Sequence, residues 1–237
     1  MTPDRPPPIR RRSVYADRLR DFKEFTFSDG GELSHRGGWR DFFAARIGAS
    51  YDGRIVFEIG CNDASFLARI AVGHPATAFI GIDWKCRALH AAAERVAAGS
   101  LKNVALLHGR AQDLRRFFAD GELSEVWLFH PDPCDKPRER VNRLFGLTFL
   151  RDVHAVLNGG GSLALKTDHA DYDRSARRVV EQMADEFSVA ASSSDYWNDA
   201  VIGPLTSARL FAGETTVYES RFRKRRTPIA YLELRKR

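Results

Sequence analysis

Acidic residues follow apolar runs at several places in the chain, where their carboxylates could bind the polar edge of a ligand. Asp132 comes just after the apolar run that ends at Phe129, and it lies between Pro131 and Pro133. Proline fixes its own φ and pushes the preceding residue into extended geometry, so Asp132 has little conformational freedom. Pro and Asp are also common turn residues, and this segment alone slightly favours an ordinary turn.

A glycine and an acid follow two earlier apolar runs. Glu58 and Gly60 end the first run, and Asp83 ends the second. Glycine lets a ligand approach the backbone, and an acid after a second strand can accept both hydroxyls of a ribose. The full GxGxxG fingerprint is absent, which disfavours a pyrophosphate at the helix start. The pattern favours an adenosine-containing cofactor without phosphates, of which S-adenosylmethionine is the commonest.

Elements that would position these residues alternate along the chain. Short apolar runs predict strands at residues 54–59, 78–82, 104–107, 125–129, 162–165 and 229–234. Helical patterns cover about residues 64–72, 85–98, 111–118, 143–156 and 171–186. This alternation predicts an α/β fold with a parallel sheet. Such sheets bind ligands beyond the carboxyl ends of their strands.

Composition is that of a soluble, cytoplasmic protein. The chain has 237 residues, a net charge of +6 and no apolar run of membrane-spanning length. Cys61, Cys86 and Cys134 are widely spaced, which predicts reduced thiols rather than disulfides or a zinc site. We therefore expect neither a metal nor a membrane partner.

Basic residues concentrate near both ends of the sequence. We expect residues 1–12 to form a disordered basic arm, because they contain little to bury. Residues 13–50 are predicted to be a helical or extended N-terminal segment, in which Trp39 lies on a helix that packs on the sheet. The second basic cluster covers residues 221–226 and 235–237. Such clusters attract polyanions, although most charge runs are only solvated surface.

Five motifs, in order, resemble the tRNA (guanine-N7)-methyltransferase family. The resemblance covers about residues 54–234, and the last three motifs are rather specific to the family. The motifs are Glu58-Ile-Gly60, Phe79-Ile-Gly-Ile-Asp83, Leu128-Phe-His-Pro-Asp-Pro133 with Lys136, Arg138 and Arg143, Lys166-Thr-Asp168 with Tyr172, and Thr216-Val-Tyr-Glu219.

This resemblance implies a fold, a cofactor and an acceptor. The fold is the class I, Rossmann-like methyltransferase domain over residues 51–237, a mostly parallel seven-stranded sheet with a final antiparallel strand. The cofactor is S-adenosyl-L-methionine, and the acceptor is a guanine in the variable region of tRNA. A monomer and a homodimer are both compatible with the sequence.

Site residues follow by position in the motifs. The resemblance implies cofactor binding by Glu58, Gly60 and Asp83, and Asp83 stands where the family has a ribose-binding glutamate. Arg110 stands where the family has an aspartate or asparagine near adenine. Asp132 resembles the catalytic aspartate.

Substrate-side positions come from the same motifs. Lys136 matches a basic position that faces the substrate, and Thr167 with Asp168 matches a substrate-binding pair. Thr216 and Glu219 match the late motif near the active site.

The chain also departs from the family pattern. Its turn reads Gly60-Cys-Asn-Asp-Ala64, without two later glycines, and Cys134 replaces a tryptophan. We expect Cys134 to be a small buried thiol. Arg110 would disfavour a buried sulfonium unless it points outward or pairs with an acid such as Asp113. The segment 192–213 is expected to fold over the site or to carry function.

Two alternatives stay open beside tRNA methylation. The diluted basic cluster after Asp132 is compatible with a relative that N-methylates a small guanine-like heterocycle. The arginine at position 110 and the altered glycine turn are compatible with a catalytically silent RNA-binding subunit.

Overall fold

The computed structural model describes residues 13–28 and 35–237, within which eight strands form one sheet. The predicted arm, residues 1–12, lies outside the described residues. The strands are β1 (Thr26–Ser28), β2 (Ile55–Ile59), β3 (Ala78–Asp83), β4 (Val104–His108), β5 (Leu123–Phe129), β6 (Leu157–Thr167), β7 (Phe187–Ser193) and β8 (Ala230–Lys236).

The strand order is β1-β4-β3-β2-β5-β6-β8-β7. Neighbours from β1 to β6 pair in parallel, and β8 is antiparallel to both β6 and β7. The predicted α/β fold, with a mostly parallel sheet and a final antiparallel strand, is therefore confirmed. The structure adds β1 as an eighth strand, contributed by the N-terminal segment.

Helices connect these strands on both faces of the sheet. The α-helices of the described residues are α1 (Val14–Arg18), α2 (Trp39–Ile47), α3 (Ser65–Gly73), α4 (Cys86–Ala98), α5 (Leu114–Phe117), α6 (Leu147–Val156), α7 (Ala170–Glu181), α8 (Ile202–Thr206) and α9 (Val217–Lys224). Short 3₁₀ turns cover Leu19–Phe22, Ala111–Asp113 and Pro137–Asn142.

Each face of the sheet carries its own apolar core, because side chains alternate between faces along a strand. One core contains the buried side chains of α2, α6 and α7, among them Trp39. The opposite core contains those of α3, α4 and α8. The predicted packing of the Trp39 helix on the sheet is confirmed.

The order of strands reverses between β2 and β5, which are neighbours although β3 and β4 intervene in sequence. Ligands of open α/β sheets bind at such a switch point, beyond the carboxyl ends of the strands. The predicted chemistry-bearing residues Glu58, Asp83, Asp132 and Asp168 follow or end β2, β3, β5 and β6 respectively. The topology therefore brings them to one edge of the sheet.

Within the two described ranges, no helix combines the length and the hydropathy needed to cross a membrane. All three cysteines are free thiols, as expected. Cys61 is buried, whereas Cys86 and Cys134 are partly accessible.

Candidate active site

The turn after β2 keeps a glycine-like backbone at positions that are not glycine. Gly60 has a φ of 77°, and Asn62 and Ala64 have φ of 51° and 50°. Left-handed geometry costs an L-residue roughly 1–2 kcal/mol. Gly81 accommodates the turn from the neighbouring strand, since an added Cβ there would lie 2.8 Å from Cβ of Cys61. Two non-glycine residues therefore adopt left-handed backbone geometry in this turn.

Glu58 is a buried carboxylate at the end of β2. Glu58 is only 5% exposed, and its Oε2 has no hydrogen-bond partner. Burial, together with the nearby charges of Asp63, Glu219 and Asp83, raises the pKa of Glu58 to about 8, although Arg69 opposes this shift. In the described part of the chain, Arg69 is the one cation among the main charges that shift this pKa, and it does not balance burial and the three neighbouring acids.

Asp83 ends β3 with both carboxylate oxygens on backbone amides. Oδ2 accepts a hydrogen bond from the Asn62 amide at 3.1 Å, and Oδ1 accepts from the Lys85 amide at 2.8 Å. The first of these bonds joins the glycine-type turn to the end of β3. Each oxygen retains acceptor capacity for a hydroxyl group, as binding a ribose requires.

Arg110 follows β4 and is exposed. Because the Arg110 side chain is exposed, its positive charge is not buried beside the place expected for the sulfonium. The neighbouring His108 contacts Cys86, with Nε2 to Sγ at 3.0 Å.

Asp132 is exposed at the tip of the turn after β5, and its Oδ1 accepts a hydrogen bond from the Cys134 amide at 3.1 Å. Arg143 holds the same turn, because its Nε donates to the Pro133 carbonyl at 2.8 Å and its Nη2 reaches Asp171 at 2.9 Å. The expectation that Cys134 is buried is wrong: it is only partly covered and has a φ of 47°. The turn is held by polar contacts rather than by a core side chain.

His130 and Asp168 link the ends of β5 and β6. His130 Nδ1 lies 3.2 Å from Asp168 Oδ1, and the His130 side chain is only 3% exposed. Burial would raise the pKa of Asp168, but the hydrogen bond with His130, aided by the charges of His130 and His169, lowers it overall. His130 Nε2 is buried without a partner.

Thr167 and Lys136 have quite different surroundings. Thr167 is buried, and its Oγ1 accepts a hydrogen bond from the His169 amide at 3.1 Å. Lys136 is exposed and forms a 3.1 Å ion pair with Glu139. Asp135 bridges the two segments, with Oδ1 2.6 Å from His169 Nε2.

The late motif begins α9 with a capping box. Thr216 Oγ1 accepts from the Glu219 amide at 3.0 Å, and Glu219 Oε2 accepts from the Thr216 amide at 2.8 Å. Glu219 Oε1 also lies 2.8 Å from Lys166 Nζ, and both side chains are fully buried. Burial lowers the pKa of Lys166, and Glu219 opposes this shift. The pair ties α9 to β6.

Aromatic rings surround the Lys166 ammonium. Its Nζ lies 4.1 Å from the ring centre of Tyr196, with further rings at 4.9 Å (Phe211), 5.0 Å (Phe129) and 5.5 Å (Trp197). Ring faces attract cations, and more strongly where water is excluded. Residues 192–213 thus contribute three rings beside the strand that precedes Asp168.

Acidic groups dominate the cofactor side of this site. Glu58, Asp63, Asp83 and Glu219 lie close enough for the other three to raise the pKa of Glu58. A ligand with positive charge bound nearby would relieve this repulsion. S-adenosylmethionine carries a sulfonium and an ammonium, so the residues present fit it.

Sequence reasoning assigned no site role to two residues that the structure places here. His130 joins Asp168, and Lys166 joins Glu219. The signal for Lys166 was available, because a lysine within the apolar run of β6 predicts a buried ion pair. No local pattern indicated the His130 contact, which depends on the pairing of β5 with β6. No group of three or more metal-ligating side chains occurs in the described part of the chain.

Two relatives with similar sequences carry the same name. The tRNA (guanine-N(7)-)-methyltransferase of Geobacillus thermodenitrificans (strain NG80-2) is 28% identical over 214 residues, which cover 90% of each chain. The protein of that name from Geobacillus kaustophilus (strain HTA426) is 32% identical over 164 residues, 69% of this chain and 72% of the relative.

Solved structures share the fold. The 16S rRNA methyltransferase KamB superposes with a TM-score of 0.57 at 16% identity, over 81% of this chain and 91% of that one. The aminoglycoside resistance methyltransferase NpmB1 superposes with a TM-score of 0.53 at 19% identity, over 84% of this chain and 93% of that one. These likenesses show a class I methyltransferase fold.

A family model covers most of the chain. The family described as "Putative methyltransferase" matches residues 52–231. The predicted motifs fall inside this range and meet at one sheet edge. With this match and the relatives above, the chain belongs to the tRNA (guanine-N7)-methyltransferase family.

Proposed function

We propose that this protein transfers a methyl group from S-adenosylmethionine to N7 of a guanine in tRNA. The observation that carries the proposal is the meeting of the family motifs at the switch point of the sheet. Asp132 is held there on a fixed, exposed turn, beside a cofactor side rich in carboxylates. The names of the relatives support tRNA as the acceptor.

Cofactor binding falls to the ends of β2 and β3. Gly60 gives access to the backbone, Asp83 would accept the ribose hydroxyls, and Glu58 would meet positive charge. When bound, the cofactor supplies an electrophilic methyl group on a positively charged sulfur. Arg110 is exposed beyond β4, so we place it at the rim, near adenine.

Guanine N7 demands little proton chemistry of the protein. The nitrogen has a lone pair and no proton, so its methylation needs no general base. Alignment and negative charge near the purine, which becomes cationic, are what the protein must provide. We assign Asp132 to hold the guanine edge, and Asp168, which is held by His130 at the end of the neighbouring strand β6, to assist it.

The remaining substrate-side residues divide by burial. Lys136 is exposed and could exchange Glu139 for an RNA phosphate. Thr167, Thr216 and Glu219 are buried and make hydrogen bonds inside the protein. We therefore propose that these three position the substrate-side loops through their neighbours.

A small guanine-like heterocycle is the second candidate acceptor. Three basic residues after Asp132 form ion pairs with acids within the protein. Lys136 pairs with Glu139, and Arg140 and Arg143 both pair with Asp171. This arrangement leaves less positive charge for RNA near the acceptor than the motif alone predicts.

A methyl-transfer assay separates the two acceptors. Radiolabelled cofactor would be incubated with unmodified tRNA and, separately, with guanosine and guanine. We expect label in tRNA and none in the small molecules. Label confined to the small molecules would overturn the tRNA proposal in favour of the second candidate. Calorimetry with S-adenosylhomocysteine tests the silent alternative, because absence of binding would contradict any methyltransferase.

A further inference from the structure

A polar pocket of about 360 Å³ lies beside α9, outside the groups assigned above. Its volume is within the range of small-ligand sites, roughly 300–1,000 Å³. The residues that line it come from the segment after β7 and from the end of α9. They are Asp195, Trp197, Asn198, Arg223, Arg226 and Thr227.

Two of the lining residues, Arg223 and Arg226, are exposed arginines. Trp197 Nε1 is buried and makes no hydrogen bond. Arg223 stacks on the Trp197 ring, 4.2 Å from its centre. Among the described residues, no carboxylate lies within ion-pair distance of Arg223 or Arg226. The one acid of the lining, Asp195, accepts from the Asn198 side-chain amide at 2.7 Å.

Charge in the pocket therefore favours an anion. Two guanidinium groups face one carboxylate, and that carboxylate already has a donor. A phosphate supplies acceptor oxygens that match guanidinium donors in pairs.

The pocket adjoins the motif strand. Trp197 forms its wall and also contacts Lys166, whose Nζ lies 5.5 Å from the ring centre. Lys166 immediately precedes Thr167 and Asp168 in β6. Arg223 follows Glu219 by one turn of α9, and Glu219 bonds Lys166. Lys166 and Glu219 thus connect this pocket to the strand that leads to Asp168.

We propose that this pocket binds a backbone phosphate of the RNA acceptor, through Arg223 and Arg226. The inference rests on the proposed function, since it requires RNA as the substrate. The Arg223–Trp197 stack would hold one guanidinium in place, and Arg226 would provide the second contact. The contact positions the RNA and reads no sequence.

Fluorescence anisotropy of labelled tRNA at several salt concentrations tests this assignment. Arg226→Gln is the main variant, because Arg226 has no ion pair in the described structure to lose. Arg151→Gln is the matched control, an exposed arginine of α6 on the opposite face of the sheet. S-adenosylhomocysteine affinity and the melting temperature report whether each variant is folded.

Each phosphate contact contributes roughly 0.7–0.9 to the slope of log K against log salt. We expect the slope to fall by about that amount for Arg226→Gln and to stay unchanged for Arg151→Gln. Cofactor affinity should be unchanged in both. If wild type binds tRNA and Arg226→Gln has the same salt slope, the assignment of the pocket is overturned, whereas the proposed function is not. Wild type that neither binds nor methylates tRNA would overturn the proposed function.

Free nucleotides are a second source of the same phosphate chemistry. Guanosine 5′-monophosphate would be titrated into wild type and Arg226→Gln by calorimetry. We expect no binding that depends on Arg226 at concentrations where tRNA saturates the protein. Tight binding that the substitution abolishes would assign the pocket to a free nucleotide and overturn the RNA contact.

Discussion

Glu58 has one carboxylate oxygen without a hydrogen-bond partner, inside a site where the nearest charges are mostly negative. Asp132, by contrast, is exposed and has one oxygen fixed on the Cys134 amide. At the scale of residues, the two carboxylates thus suit different tasks. Glu58 is suited to a cationic ligand, and Asp132 is suited to a substrate that arrives from solvent.

The free energy of unfolding should report the burial of Glu58. Its pKa is raised from 4.5 to about 8 in the folded protein, so protonated Glu58 stabilises the fold at low pH. That contribution is lost as pH rises through this window, by at most about 5 kcal/mol. We expect Glu58→Gln to lack this part of the pH dependence in urea titrations of the ligand-free protein. If the difference in free energy of unfolding between wild type and Glu58→Gln is constant with pH, the raised pKa of Glu58 is contradicted.

Asp132→Asn tests the role of charge at the acceptor site. Asparagine keeps the Oδ1 acceptor for Cys134 but removes the negative charge, so the turn should persist. We expect kcat to fall about 100-fold or more, the scale seen when one preorganised electrostatic group is lost, with unchanged affinity for S-adenosylhomocysteine. Asp185→Asn, at an exposed position before β7, is the control. Unchanged turnover in Asp132→Asn would show that its charge is not used.

At the scale of elements, α9 is tied to β6 by a buried ion pair and to its own start by the capping box. Thr216 and Glu219 of the late family motif therefore have a structural role, which is to begin α9 and to attach it to β6. Removing one partner of a buried ion pair leaves an uncompensated charge, which costs roughly 3–5 kcal/mol. Removing both charges avoids that penalty.

A double-mutant cycle measures the coupling of Lys166 with Glu219. We expect Lys166→Met to lower the free energy of unfolding by about 3–5 kcal/mol. Lys166→Met combined with Glu219→Gln should be more stable than Lys166→Met alone, because glutamine keeps an acceptor for the Thr216 amide and carries no charge. Urea denaturation measures each variant. Strictly additive effects would mean that the two groups do not interact.

Sequence predicted most elements of the sheet but not its edges. The central strands were recognisable because both faces are buried and their residues form continuous apolar runs. β1 has only three residues, and β7 is an edge strand rich in small and polar side chains, so neither gave a clear pattern. In the site, strand-end acids were predictable from spacing. The His130–Asp168 contact and the Arg143 support of Pro133 needed the tertiary fold.

At the scale of the whole molecule, basic charge lies toward both ends of the sequence, while acids gather at the cofactor side. A field of this kind attracts RNA and leaves the cofactor side favourable to a cation. Phosphate contacts would then supply a large share of the affinity for RNA.

Deletion of residues 1–12 tests the contribution of the N-terminal charges. The segment contains Arg10, Arg11 and Arg12. We expect the deletion to weaken tRNA binding and to reduce the salt slope by up to about 0.9 for every phosphate that these arginines neutralise. S-adenosylhomocysteine affinity is the control. An unchanged salt slope would show that this segment binds no phosphates.

The position of the transferred methyl group decides whether the protein methylates guanine N7 of tRNA. Unmodified tRNA would be incubated with S-adenosylmethionine and either wild type or Asp132→Asn, digested to nucleosides and analysed by mass spectrometry against standards. We expect 7-methylguanosine with wild type, and much less with Asp132→Asn at equal time. Methylation of another base or another guanine atom, or no methylated nucleoside from tRNA, would contradict this expectation.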